Sequence, residues 1–405
     1  MKLILLMFIL ILPSLIFGQT QNYWVKKNNF PGLKRARTIS FSIQNKGYVG
    51  MGIDTADHVL NDLWEFDAAT SSWTQKANLP GSVRRNAIGF AIGKLGYVGT
   101  GMDSSVATTG QPLSDFWAYD PSSNQWTEKS SFPGSNSNGI YFATSFVADN
   151  KGYICGGKRG PNNYSDELWE YKPSNNTWIQ KTDFPGGVRY QLTSFVIENM
   201  VYVGLGVDQN VFRKDIWQYN PANGSWNQKN DFAGGVRGGV CAFSLKQRGF
   251  VTLGGDGGFK KDLWEYNPFD DSWSIRSEFG GSARKNAFVF TIGDYAYIGT
   301  GKGISGKKQS VYQYVPFDVL EANDQNLIDL KIFPNPSHNG VINVSTPENG
   351  SISIRNMNGQ EIYFEETINQ KNVQLNLDEF SHGIYLIHYR NEDFSISKTE
   401  KFVIR

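Results

Sequence analysis

The residues able to do chemistry in this chain are mostly arginine, aspartate and lysine. Arg35, Arg84, Arg189, Arg237 and Arg284 recur at related places, and Asp54, Asp103, Asp208 and Asp256 each follow one of the first four by nineteen residues. Such a constant offset predicts an Arg and an Asp facing each other across two adjoining antiparallel strands. Two places break the pattern. Arg159, preceded by Lys158, stands where an Asp is due, with Ser137 or Asn138 near the corresponding Arg place. Gly303, beside Lys302, stands where Arg284 would find its acid. Both places are expected to leave unpaired basic spots. Guanidinium suits carboxylates through planar bidentate contact, so one reading is a polar pocket for an anionic or hydroxyl-rich ligand, such as a glycan or a peptide. The other reading is architectural. Solvated pairs contribute only about 0–1 kcal/mol each, but a repeated pair fixes strand register.

Other chemistries find little support. The four histidines are His58, His338, His382 and His388, and the two cysteines are Cys155 and Cys241. A zinc or copper centre needs several converging N or S ligands, so no metal and no cofactor are expected. Ser-His-Asp catalysis lacks histidines as well. Cys155 and Cys241 are expected to be buried and unbridged. A net charge of +1 gives no reason to expect nucleic acid as a partner.

The elements that must carry these residues are short strands. Trp64 and Trp73, Trp117 and Trp126, Trp169 and Trp178, Trp217 and Trp226, and Trp264 and Trp273 are each nine residues apart. The first Trp of each pair follows an acid and an apolar residue: Asp62, Asp115, Glu167, Asp215 and Asp262 hold the acidic place and read as turn caps. A sixth unit has Tyr312 in the Trp place. The unit length of roughly fifty residues, with four strands each, is that of a propeller blade. Each second strand ends in glycines, as in Gly50 and Gly52 or Gly254 and Gly255, where backbones crowd near an axis. The remaining tryptophan, Trp24, heads a segment like that of Trp178. It is expected to supply the outermost strand of the Tyr312 unit, closing the ring. The tryptophans are expected to pack between blades.

These motifs resemble the kelch repeat: an apolar strand, a glycine pair, an acid-Leu-Trp strand and a second Trp. The resemblance implies an all-β, six-bladed kelch β-propeller over residues 19–316. The copper-radical oxidases that share this fold need a pair of histidine ligands, which this segment does not supply.

Residues 1–18 read as a secretory signal peptide, with a basic start and an apolar run to Phe17. Residues 317–328 are polar and acidic and read as a linker. From residue 329 to 405, alternating strands broken by Asn-Gly turns predict a small Ig-like β-sandwich. The Phe333-Pro334-Asn335-Pro336 opening, the Gly383-Ile384-Tyr385 strand and the basic, apolar end resemble the type A C-terminal sorting domain of the type IX secretion system of Bacteroidota. That resemblance implies passage through the periplasm to the cell surface or medium, with the secretion machinery as partner.

Two functions follow as expectations. The first is a secreted or surface-attached propeller, monomeric and without catalysis, that binds a protein or glycan. The second is a sugar mutarotase or epimerase of the sialic-acid type, which a similar architecture suggests. A ligand is expected at the mouth where the strand-a entries and the longer loops emerge. The loop Ser104 to Ser114, with Thr108, Thr109, Gly110 and Pro112, is placed to fold over it. Arg84, Arg159 and Arg284 are the expected contacts.

Overall fold

In the computed structural model, the described residues are 22–105, 110–134, 139–316, 330–338, 340–346, 350–356, 361–367, 372–391 and 397–404. The signal-peptide and linker readings, Ser137, Asn138, Thr108 and Thr109 lie outside them. The chain divides into two compact units between Pro316 and Phe317.

The first unit holds six four-stranded antiparallel sheets, here called blades 1 to 6. Blade 1 comprises Ile39–Ile43, Lys46–Gly50, Leu63–Asp67 and Ser72–Lys76. Blades 2 to 5 repeat this order, with inner strands Ile88–Ile92, Thr144–Ala148, Thr193–Ile197 and Cys241–Leu245. Blade 6 takes Phe288–Ile292, Tyr295–Gly299 and Val311–Val315 from the end of the unit and Tyr23–Lys27 from its beginning. Trp24 pairs with Tyr314, and Lys26 with Tyr312. The N-terminal strand therefore covers an edge that would otherwise be left open.

Apolar alternation decides how the blades stack. On each third strand the aromatic at the same repeat place is fully buried: Phe66, Tyr119, Tyr171, Tyr219, Tyr266 or Tyr314. Each meets an aromatic on the second strand of the preceding blade, at centroid distances of 5.1 to 6.1 Å. Phe66 meets Tyr297, so blade 1 packs on blade 6. The outer tryptophans serve the same seams. Trp126, Trp178 and Trp226 join the apolar clusters of the preceding blades, and their indole N–H groups donate to the carbonyls of Ala77, Ser130 and Thr182. Both cysteines are free and buried.

A circle of backbone hydrogen bonds completes the closure. The N–H groups of Gly52, Gly101, Gly157, Gly206, Gly254 and Gly301 donate to the carbonyls of Arg84, Ile140, Arg189, Arg237, Arg284 and Arg35 of the next blade, at 2.7 to 3.0 Å. Each of these glycines has φ between 83° and 110°, a conformation that L side chains rarely adopt. At Gly52 an added Cβ would also sit 2.6 Å from the Ala36 carbonyl oxygen. The glycine is needed for both backbone angle and close approach.

The second unit, described by itself, has a three-stranded sheet of Lys331–Phe333, Val341–Ser345 and Asn372–Asn376. A four-stranded sheet of Glu361–Thr367, Gly350–Asn356, Gly383–Asn391 and Ser397–Ile404 accompanies it. Ile342, Val344, Ile352, Ile354, Ile387 and Phe402 form part of its buried core.

Removing residues 20–32 deletes the closing strand and strips Trp24 from Phe279 and Tyr314. Calorimetry should show Tm lowered by about 10 °C or more. An unchanged Tm would mean that the first strand does not hold the ring.

Candidate functional site at the channel mouth

The recurring arginines are built into the blade seams. At each one the N–H donates to a carbonyl of the preceding blade, as in Arg84 to Leu60 at 3.0 Å, and the C=O accepts from the seam glycine. The side chain turns inward across its own blade. Arg84 bonds both oxygens of Asp115 at 3.0 and 2.6 Å and the Thr100 carbonyl at 3.1 Å. Arg35 reaches Asp62, Arg189 reaches Asp215 and Arg237 reaches Asp262 in the same way. The second oxygen of each acid accepts from the adjacent Trp indole, at 2.7 to 2.9 Å. Beneath the guanidinium of Arg35, Arg189 and Arg237 lies the ring of Phe30, Phe184 or Phe232, 4.8 to 5.1 Å away. The five arginines Arg35, Arg84, Arg189, Arg237 and Arg284 are only 0–3% exposed.

This geometry corrects the expected pairing. Arg35 and Asp54 do face each other in strand register, but the guanidinium passes Asp54 and takes the acid of the third strand. A deeply placed cation requires a partner at its own depth, and Asp62 offers two aligned oxygens. The acids Asp62, Asp115, Asp215 and Asp262 are therefore guanidinium and indole acceptors, whereas turn caps were expected. Asp54 and Asp103 organise their own hairpins: Asp54 accepts from the Ala56 and His58 N–H groups, and Asp103 from Ser105. Asp208 pairs with Arg213, and Asp256 with Lys260.

Arg159 is a second correction. It is not unpaired: its guanidinium bonds Glu167 at 2.5 Å and lies 5.8 Å from the Phe132 ring centroid. Ile140 keeps the backbone place of the missing seam arginine, and Arg159 supplies the guanidinium from the second strand. Arg284 does lack a carboxylate partner among the described residues. It bonds the Thr300 and Ser282 carbonyls and the Ser310 hydroxyl.

Two residues beyond each seam position, the chain turns toward the axis. Arg37, Asn86, Phe142, Gln191, Gly239 and Asn286 all have φ between 53° and 66°. Five backbone hydrogen bonds link neighbours in this inner circle. These residues line an axial cavity of about 160 Å³. Beside it, a second cavity of about 230 Å³ is lined by Arg37, Arg85, Lys285, Lys302, Lys307 and Asp57, among others. Lys307 pairs with Asp57 at 2.6 Å. Arg37, Arg85, Lys285 and Lys302 have no carboxylate within ion-pair distance among the described residues. Arg85 Nε and Asn86 Nδ2 are buried without a hydrogen-bond partner. No three His, Cys, Asp or Glu come together as a metal site among the described residues.

Comparison with known proteins agrees with this architecture. Residues 97–245 match the family described as KLHDC2/KLHL20/DRC7 Kelch-repeats domain, and residues 331–405 match the secretion system C-terminal sorting domain. The chain is a kelch-repeat propeller with a secretion sorting domain. A solved structure titled "Structure of YjhT" resembles it with a TM-score of 0.63 and 15% identity, covering 73% of this chain and 98% of that one. No curated protein matches.

The kelch mouth is uneven. Blades 6, 1 and 2 contribute the cations. Burial and repulsion from Arg85 push the Arg37 pKa down to about 10. Burial, then Lys302 and Arg37, lower that of Lys285. Blades 3 and 4 contribute aromatics: Tyr164 stacks on Tyr190 at 5.5 Å, and the Lys158 ammonium lies 4.9 and 4.5 Å from the two rings. Of the expected site residues, Lys158 and Lys302 are at this mouth, whereas the seam arginines are sealed within the blades. Arg37, Arg85 and Lys285 were missed. Their signal was a second basic residue one or two places after a repeating arginine.

Arg84→Ala and Arg159→Ala should each cost about 2–4 kcal/mol, because each removes a buried guanidinium and strands a partly buried acid. Arg85→Gln should stay within about 0.5 kcal/mol of wild type. Urea unfolding measures all three. A surface-like result for Arg159→Ala would refute its seam role.

Proposed function

We propose that this kelch propeller is an exported binding module that holds an anionic ligand at its channel mouth without transforming it. The observation that carries the reading is the gathering of Arg37, Arg85, Lys285 and Lys302 with no carboxylate in contact. Like charges drawn together at partly buried positions disfavour one another's charged forms. A bound anion relieves that repulsion, and a preformed cationic cleft raises the local concentration of anions.

The mutarotase reading requires an acid and a base placed to move protons at a sugar carbon. The carboxylate lining the basic cavity is Asp57, whose pKa is lowered chiefly by its hydrogen bond and ion pair with Lys307. A carboxylate so stabilised is a weak base, and this favours binding over proton transfer.

Citrate, a small tricarboxylate, tests the anion site. It should raise the Tm of wild type, and the Arg85→Gln/Lys285→Gln variant should lose that rise. Lys94→Gln, in the exposed turn at the opposite ends of the strands, should keep it. A rise that survives the double substitution would overturn the assignment. The effect should also weaken with pH. Lys285 has a lowered pKa, so the attraction is present at neutral pH and is lost as pH rises through that value. The loss should begin below the ordinary lysine value of about 10.4.

Export rests on the sorting domain. Removing residues 329–405 should leave the first unit folded by circular dichroism but retained in the periplasm. Surface or medium fractions containing the truncated chain at wild-type amounts would refute this.

A further inference from the structure

The mouth combines three kinds of group. The cations Arg37, Arg85, Lys285 and Lys302 form an arc on blades 6 and 1 and the adjoining part of blade 2. Three amide side chains, Asn86, Gln191 and Asn286, lie on the inner circle. Phe142, Tyr164 and Tyr190 form an aromatic wall on blades 3 and 4. Phe142 lies 5.9 Å from Tyr190, and the Arg37 guanidinium lies 5.3 Å from the Phe142 centroid. Wall and arc are therefore in contact. The Tyr164 and Tyr190 hydroxyls have no hydrogen-bond partner among the described residues, and both side chains are partly exposed. Between the wall and the Lys285 end of the arc, blade 5 contributes Gly238, Gly239, Gly255, Gly257 and Gly258. Cβ atoms added at Gly257 and Gly258 would meet nothing within 4 Å. This side leaves the mouth open for a ligand longer than one ring.

Resting on the anion-binding reading, we infer that the ligand is an acidic oligosaccharide bearing two or more carboxylate or sulfate groups. Its charges sit on the Arg37, Arg85, Lys285 and Lys302 arc, and one ring lies against Tyr190 and Tyr164. Each component answers a feature of such a molecule. One carboxylate occupies at most one guanidinium fork, so four cations with no carboxylate at ion-pair distance, sharing their cavity with Asp57 alone among the described acids, suit more than one anionic group. The apolar face of a sugar ring matches an aromatic plane. Amides and phenols both donate and accept, as sugar hydroxyls require. Asn86 is 7% exposed, and its Nδ2 without a partner supplies a donor at the cavity wall. An acidic peptide would use the arc but has no ring of hydroxyls to engage the amides and the tyrosines.

Isothermal titration of the full chain decides the point, with trigalacturonate, a heparin-derived tetrasaccharide, galacturonate, maltotriose and triglutamate as probes. At least one of the two acidic oligosaccharides should bind about tenfold more tightly than galacturonate, and maltotriose should not bind. The preferred probe identifies carboxylate or sulfate as the charge source. Tyr190→Ala should weaken that probe about tenfold while leaving the citrate response intact. If triglutamate binds as well as the better oligosaccharide, or Tyr190→Ala leaves oligosaccharide binding unchanged, the inference fails while the anion site stands. If both oligosaccharides fail but citrate still acts through Arg85 and Lys285, the inference alone falls. If citrate also fails, the underlying anion-binding reading falls with it.

Discussion

Everything in the first unit depends on the circular seam at the channel. A ring of blades has no free edge only if its last blade meets its first. Here the same bond is made six times: a seam glycine N–H reaches the next blade's carbonyl, from Gly52 to Arg84 around to Gly301 and Arg35. Left-handed glycine geometry brings the two backbones together. Buried aromatics then fill the wedge between blades, each third-strand ring against a second-strand ring of the preceding blade. The N-terminal strand adds the outer edge of the sixth sheet, so closure is both hydrogen bonded and packed.

The seam also explains the buried arginines. The residue that accepts the glycine bond projects its side chain into its own blade, where the acid-Leu-Trp carboxylate waits. The guanidinium thus ties first, second and third strands together, over an aromatic ring at Arg35, Arg189, Arg237 and Arg284. Blade 3 separates the two duties. Ile140 accepts the bond from Gly101, and Arg159 delivers guanidinium to Glu167 from another strand. Keeping the pair while moving its origin shows that the position in space matters more than the position in the repeat. Leaving Glu167 without a cation would be costly at that depth. Blade 6 solves the same problem differently, with Ser310 accepting from Arg284 where an acid stands elsewhere.

The repeat, the strand order and the closing strand were legible because tryptophan spacing and apolar alternation are imposed by packing. Trp24 was assignable because its neighbours copied those of Trp178. The pairing partner of each arginine was not legible. A spacing of nineteen correctly placed Arg35 opposite Asp54 in register, but register specifies backbones, and a long side chain can pass its facing residue. Only depth decides between Asp54 and Asp62, and depth is not written in spacing. Arg37, Arg85 and Lys285 escaped notice for the opposite reason. They sit in columns where the repeat imposes no residue type, so a basic residue one or two places past a seam arginine recurs in only three of the six blades, too faint a mark to single them out.

That freedom is where the asymmetry of the mouth arises. In the column one place past the seam stand Ala36, Arg85, Tyr141, Tyr190, Gly238 and Lys285; two places past it stand Arg37, Asn86, Phe142, Gln191, Gly239 and Asn286. The seam residue makes two backbone bonds and, where it is arginine, a buried ion pair. The residue next along the chain is consequently fixed in place before its own side chain contributes anything. A scaffold of six equal blades can therefore carry six different groups around one opening: cations on one side, aromatics on another, glycines between. The bonds that hold these residues run through the backbone and not through their side chains, so the side chains can be exchanged without loosening the ring. This arrangement gives a rigid frame and a variable mouth one or two residues apart in every repeat.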